Sequence, residues 1–204
     1  MNNTLSFSNT VDRTLPLRHL GDPVLSQQAH TVGPAELPRA RQLAPLMLAT
    51  MNSEGGIGLA ATQIGETLSL TVIDLRPVEE SLQDSLTGAE KDIFARMPLI
   101  LLNPRITSTS PEEETSEEGC LSLPDIQAAV KRPARVVFQA QSLNGEPLFG
   151  ECGGLLARCL QHEIDHLNGI TFDQRLTPES LLRIKSKLRR LKKNTQKKLK
   201  HQIS

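Results

Sequence analysis

The sequence predicts an α+β fold, with antiparallel or mixed β-sheets around a central, metal-binding His-Glu-x-x-His helix and a further helix at the C-terminus. Three observations lead there. Runs rich in branched residues and bounded by proline read as strands. "ARVVFQAQSLNGEPLFGE" offers two strand-like arms around an Asn-Gly turn, and "GGLLARCLQHEIDHLNG" reads as a helix between glycine stops. At 204 residues the chain suits a single core.

Taken in order, residues 1–16 read as an N-terminal extension. They lack the basic start, apolar block and cleavage site of a secretory signal, and Asp12 argues against a transit peptide. Residues 17–176 are expected to form the catalytic body and 177–204 a basic helix. Leu37–Asn52 is helical despite Pro45, because its apolar residues recur three and four apart. A loop, "SEGGIGLAATQIGE", follows. Leu68–Leu75 and Leu99–Ile106 are strands, and the polar insertion between them, Pro77–Pro98, reads as an exposed loop. The acidic run Pro111–Glu118 also reads as a solvated loop, since it lacks the ligand spacing of a calcium site. After it, "LSLP" reads as an extended segment. Asn144-Gly145 is expected to supply the two positive φ angles of a type I′ hairpin turn. The next helix opens at Gly153-Gly154 and closes at Gly169. The last has Thr177 as its N-cap and Pro178 in its first turn.

Charge separates the two ends of the chain. From Arg183 onward there are ten Lys or Arg and no acid, which leaves the preceding 182 residues at −10 within a net charge of zero. With no Trp or Tyr, stacking of single-stranded bases is excluded as a main binding mode, so any nucleic-acid contact must be electrostatic. Three irregularly spaced cysteines argue for reduced thiols in a cytoplasmic protein. No apolar run is long enough to span a bilayer.

His162 and His166 are four residues apart, about 6 Å along a helix axis, so both rings can reach one ion. Glu163 beside them can take a proton from an activated water without being a ligand. A catalytic site of this kind wants a third protein ligand. Downstream, the metzincin position is Phe172, which cannot bind a metal, and Glu179 is too close in sequence. Cys159 lies about 10.5 Å of helical rise from His166 and reads as core. Cys120 remains, with Cys152 a weaker candidate. A dinucleotide reading of Gly56-x-Gly58-x-x-Ala61 fails because a helix, not a strand, precedes the glycines, and Gly65 truncates any helix after them.

"GIGLAATQ" (56–63), "EGCLS" (118–122) and "QHEIDH" (161–166) resemble, in this order, the three signature motifs of the peptide deformylase family. The resemblance runs from about Leu17 to the basic helix. It implies removal of the formyl group from N-terminal formyl-methionine, with Cys120, His162 and His166 as metal ligands and Glu163 as general acid/base. It also implies that Gln63 and the backbone N–H of Leu121 serve the oxyanion. Gly56, Ile57, Gly58 and Gly119 line the substrate site, and Glu118 and Gln161 orient the ligands. The metal it implies is Fe²⁺, replaceable by Zn²⁺, Ni²⁺ or Co²⁺. A monomer is expected, with formyl-methionyl nascent chains as substrate and ribosomal RNA as a partner of the basic helix. Asp125 and Gln127 depart from the pattern, and Arg158 lies beside the implied methionine pocket with its direction open.

Two other classes compete. A metallopeptidase acting on internal bonds is disfavoured by the cysteine ligand and the lack of a downstream one. An inactive ribosome-associated paralogue is disfavoured by the intact Glu163 and Gln63.

Overall fold

A computed structural model describes residues 13–81 and 87–203. Most of the expected N-terminal extension and part of the 77–98 insertion therefore lie outside the described residues. In chain order the elements are α1 (Leu37–Ser53), β1 (Gly58–Ala60), β2 (Leu70–Ile73), α2 (Gly88–Phe94), β3 (Leu99–Thr109) and β4 (Glu113–Gly119). Next come β5 (Gln127–Pro133), β6 (Arg135–Gln141), β7 (Pro147–Gly153), α3 (Gly154–Leu167) and α4 (Pro178–Ile203). Short 3₁₀ turns occupy Pro23–Ser26, Ala61–Ile64, Arg76–Ser81 and Phe172–Arg175.

Five strands form one antiparallel sheet in the order β1-β2-β3-β6-β7, and β4 and β5 form a separate antiparallel ribbon. Side chains alternate across a strand, and the apolar residues of β2 and β3 serve both faces. Leu70, Val72 and Leu102 join Met47 and Met51 of α1 in one cluster. Ile73, Leu99 and Leu101 join Leu156 and Leu160 of α3 in another. The sheet is thus covered by α1 on one side and α3 on the other, and α3 is buried along nearly its whole length from Leu156.

A third cluster lies under the β4–β5 ribbon. Leu123, Ile126, Ala128 and Val130 pack with Phe172 and with Ile184 and Leu188 of α4, and Cys120 rests against it. The apolar seam of the C-terminal helix therefore docks on the body, while its basic residues stay exposed.

Four expectations need correcting. Pro77–Pro98 is not simply an exposed loop: α2 begins with a capping box in which Thr87 and Glu90 bond each other's backbone N–H, at 3.4 and 2.7 Å. Phe94 and Met97 then enter the second cluster. The acidic run before Cys120 is strand β4, a ribbon strand with both faces mostly exposed and hence no alternating pattern to read. "LSLP" is not extended; successive turns close it, with Leu123 N–H on Cys120 O and Ile126 N–H on Leu123 O. The β6–β7 turn has positive φ at Gly145 but not at Asn144. It is a β-turn over Ser142–Gly145 with a left-handed glycine, closed by Gly145 N–H on Ser142 O at 2.9 Å. The longer loop lets Leu143 bury its side chain against α1 while its carbonyl accepts from Arg41.

Cutting Ile184 or Leu188 back to Ala should cost about 2–4 kcal/mol each in chemical denaturation, the price of a cavity under the Cys120 turn. Exposed Lys193→Ser should stay within about 0.5 kcal/mol. Equally small losses at all three positions would show that α4 does not depend on this seam.

Candidate metal centre

Two elements bring the candidate ligands together. Cys120 is the first residue after β4, and the turns from Leu121 to Ile126 fold its connection over the third cluster. His162 and His166 lie one turn apart on α3, 9 % and 1 % exposed. Cys120 Sγ, His162 Nε2 and His166 Nε2 all lie within 4.8 Å of one another. Cys120 Sγ is 3.2 Å from His166 Nε2, which is 3.2 Å from His162 Nε2. Donors held about 2.0–2.3 Å from a shared ion at tetrahedral angles would stand about 3.3–3.6 Å apart, a few tenths of an ångström more than these. A thiolate and two imidazoles converging at that spacing fit a divalent metal. Cys152 and Cys159 belong to the second cluster and not to this group of donors, although Cys159 borders the same cavity, and burial first of all raises both thiols, Cys152 to about 12.

The imidazole orientation is set from behind. His162 Nδ1 donates to Glu118 Oε2 at 2.9 Å, which leaves Nε2 as the atom facing the other two donors. Phe172 lies roughly parallel to the His162 ring, with centroids 6.2 Å apart. It stands where a metzincin would have its third histidine and here serves as packing. Burial alone would pull His162 down, but its hydrogen bonds with Cys120 and Glu118 carry it up to about 10. His166, buried beside His162, goes well down.

Glu163 is 3 % exposed and faces a cavity of ≈ 1060 Å³ lined by Gly56, Ile57, Gly58, Gln63, Gly119, Cys120, Leu121 and His162. Burial pushes its carboxyl up to about 7, and Oε2 has no hydrogen-bond partner among the described residues. Gly58 is required here by contact, since a Cβ would collide with the Glu163 carboxylate and sit 2.8 Å from Cys159 Sγ. Gln63 is oriented by its own amide: Ala60 N–H donates to Oε1 at 2.8 Å, so Nε2 turns toward Ser122 Oγ at 3.2 Å and Cys120 Sγ at 3.5 Å.

Nine of the ten expected site residues therefore line one cavity, and the tenth, His166, adjoins it through Cys120 and His162. Gln161 departs from its expected role: its amide donates to Pro133 O and Ala157 O, both at 3.0 Å, and touches no ligand. It ties α3 to the end of β5 instead. Arg158 lines the cavity, and its guanidinium donates to Glu118 Oε1, Val130 O and Glu114 O at 2.8–2.9 Å.

Arg132, Asp165 and Arg175 went unread in the sequence. Asp165 carried a signal, a charge inside "HEIDH" on a helix that buries its other residues and so needs a partner. Nothing in the pattern of β5 marks Arg132, which donates to Glu118 Oε1 at 2.6 Å, Glu118 Oε2 at 3.0 Å and Asp165 Oδ2 at 2.8 Å.

Comparison with known proteins places this geometry in context. The family model described as polypeptide deformylase matches residues 14–181. A curated peptide deformylase of Opitutus terrae is 41% identical over 186 residues, covering 89% of this chain and 95% of its own. Among solved structures, the peptide deformylase of Synechococcus elongatus in complex with actinonin is 38% identical, with a TM-score of 0.70, covering 89% of this chain and 85% of that one. The peptide deformylase of Thermus thermophilus is 34% identical, with a TM-score of 0.74, covering 89% of this chain and 99% of that one.

Glu118 makes a stability prediction with a definite sign. Burial would raise its carboxyl, but hydrogen bonds from His162 and Arg132 outweigh that and hold it at about 2, against an ordinary 4.5. Its contribution is complete above pH 4.5 and is lost as the pH falls from there toward 2. In melts of metal-free protein, Glu118→Gln should lie well below wild type at pH 7 and approach it across that window. Curves that stay parallel would contradict the assignment.

Proposed function

We infer the chemistry of this site from a premise that the matches supply: the chain belongs to the polypeptide deformylase family. It is an enzyme that removes the N-formyl group from nascent polypeptides, with release of formate. The residue assignments that follow are our reading of the geometry, and the convergence of Cys120 Sγ with two imidazole nitrogens beside a buried carboxylate oxygen that has no partner among the described residues carries it.

Cys120, His162 and His166 would hold one divalent metal. We assign Fe²⁺ as the native ion, with Zn²⁺, Ni²⁺ or Co²⁺ able to replace it, because a thiolate and two imidazoles suit all four. Such an ion supplies Lewis acidity and a water acidic enough to act as a nucleophile near neutral pH. The chain's own groups do the rest. Glu163 takes the nucleophile's proton and returns it to the leaving amine, a task for which a carboxyl raised by burial toward neutrality is suited. Gln63 Nε2, held by the Ala60 contact to Oε1, and the N–H of Leu121 stabilise the oxyanion formed from the formyl carbonyl. A neutral amide does this without competing for the proton.

β1 ends the five-stranded sheet, and Gly56, Ile57 and Gly58 at its entry line the cavity. The peptide would lie along that edge, unpaired among the described residues, as an added strand, with Gly119 on another wall of the cavity. The Arg158 stem then forms part of the wall near the methionine side chain while its charge is engaged elsewhere.

We assign the protein to the cytoplasm as a monomer, a reading supported by three unpaired thiols. Among the described residues no helix is long and apolar enough to cross a membrane. We also propose that the exposed basic face of α4 docks on ribosomal RNA. Cutting the helix away would open the third cluster, so charge is the variable to change. Arg189→Gln, Lys193→Gln and Lys197→Gln together should flatten the salt dependence of ribosome binding while hydrolysis of short formyl-peptides persists; an unchanged slope would refute docking through this face.

For the chemistry, formate release from formyl-Met peptides by anaerobically prepared protein is the test. Glu163→Ala should lose at least about 10²-fold in kcat. Gln63→Leu should lose about 10²–10³-fold in kcat with KM little changed. Cys120→Ala should fail to retain metal. Turnover by Glu163→Ala at the wild-type rate would remove the proposed acid/base.

A further inference from the structure

Every acceptor position of one buried carboxylate is taken. A carboxylate offers about four lone-pair sites. Those of Glu118 go to Arg132 Nε, Arg132 Nη2, Arg158 Nη1 and His162 Nδ1. Arg132 is itself 4 % exposed, on β5, and its remaining terminal nitrogen reaches Asp165, which lies between the two histidines on α3. Asp165 in turn is closed from the far side by Arg175, with contacts of 2.5 and 3.1 Å. The chain of contacts runs from β4 through β5 into the very helix that carries His162 and His166.

We propose that Arg132 is a positioning residue for the metal centre. Its side-on fork fixes the plane of the Glu118 carboxylate that receives the His162 Nδ1–H. Its third arm ties that carboxylate to α3 through Asp165, so that β4, which delivers Cys120, and α3, which delivers both imidazoles, keep one relative placement. The inference rests on reading Cys120, His162 and His166 as the ligand set. It requires arginine: a planar guanidinium can serve both oxygens of one acid and one oxygen of another at once, whereas a lysine ammonium is a point charge on a flexible stem. Arg158 supports the same carboxylate from the cavity side but touches only one of its oxygens. Arg175 touches Asp165 and not Glu118, which makes it a matched control.

The experiment compares full-length wild type with Arg132→Lys, Arg158→Met and Arg175→Met. Co²⁺ affinity is measured by competition with a chelator, the visible spectrum of the Co²⁺ protein is recorded, and kcat and KM are separated on a formyl-Met peptide. Arg132→Lys should bind Co²⁺ about 10–100-fold more weakly, with shifted bands, and should lose kcat at constant KM. Arg175→Met should melt lower yet match wild type in affinity and spectrum. Should Arg132→Lys not fold, Arg158→Met decides: weaker Co²⁺ binding supports the proposal. Wild-type affinity and spectrum in every folded variant would overturn it. A wild-type protein that binds Co²⁺ without a thiolate band would instead overturn the ligand set itself.

Discussion

The contact between Glu118 and His162 is the one on which the rest of the centre depends. An imidazole has two nitrogens and two neutral tautomers, and only the form protonated at Nδ1 leaves Nε2 free to bind a metal. Glu118, an acceptor held ionised by its hydrogen bonds with His162 and Arg132, selects that form. The cost is a buried charge cluster, which a hydrophobic replacement of similar volume could match for stability alone. The ribbon β4–β5 carries the acid, its arginine and the cysteine together, so the same short piece of structure delivers one ligand and aligns another.

Glu163 lives under the opposite constraint. Glu118 is surrounded by donors and ionises readily, whereas Glu163, one residue from His162, has an oxygen without a partner among the described residues and a carboxyl pushed toward neutrality. Two carboxylates around the same histidine are thus driven apart in proton affinity by their surroundings, which separates a group that orients from a group that transfers protons. Gly58 keeps the second role possible, since any side chain there would displace the Glu163 carboxylate. The sheet holds β1 and α3 in register for that close approach, with Leu59 and Ala60 fully buried beside it.

Much of this was legible in the residues, and the exceptions have physical causes. His162, Glu163 and His166 declare themselves because helical spacing alone places them together, and Cys120 follows once the downstream candidates are eliminated and the family resemblance is taken in. Strands buried on two faces were readable as apolar runs, whereas β4 was not, because an exposed ribbon has no buried face to impose alternation. The capping box of Thr87 and Glu90 was visible as a pattern but hidden inside a segment whose polarity suggests a loop. Asn144-Gly145 gave the right hairpin with the wrong turn, because burial of Leu143 favoured a longer loop. Arg132 could not be found by any local rule, since its partners lie 14 and 33 residues away and meet only through the fold.

X-ray absorption of the Zn²⁺-loaded protein tests the Cys120, His162 and His166 ligand set itself, because it counts the donors without passing through activity. One sulfur at about 2.3 Å and two imidazole nitrogens at about 2.0–2.1 Å are expected, with the sulfur lost in Cys120→Ser. A first shell without sulfur, or one that keeps its sulfur when Cys120 is replaced, would contradict it.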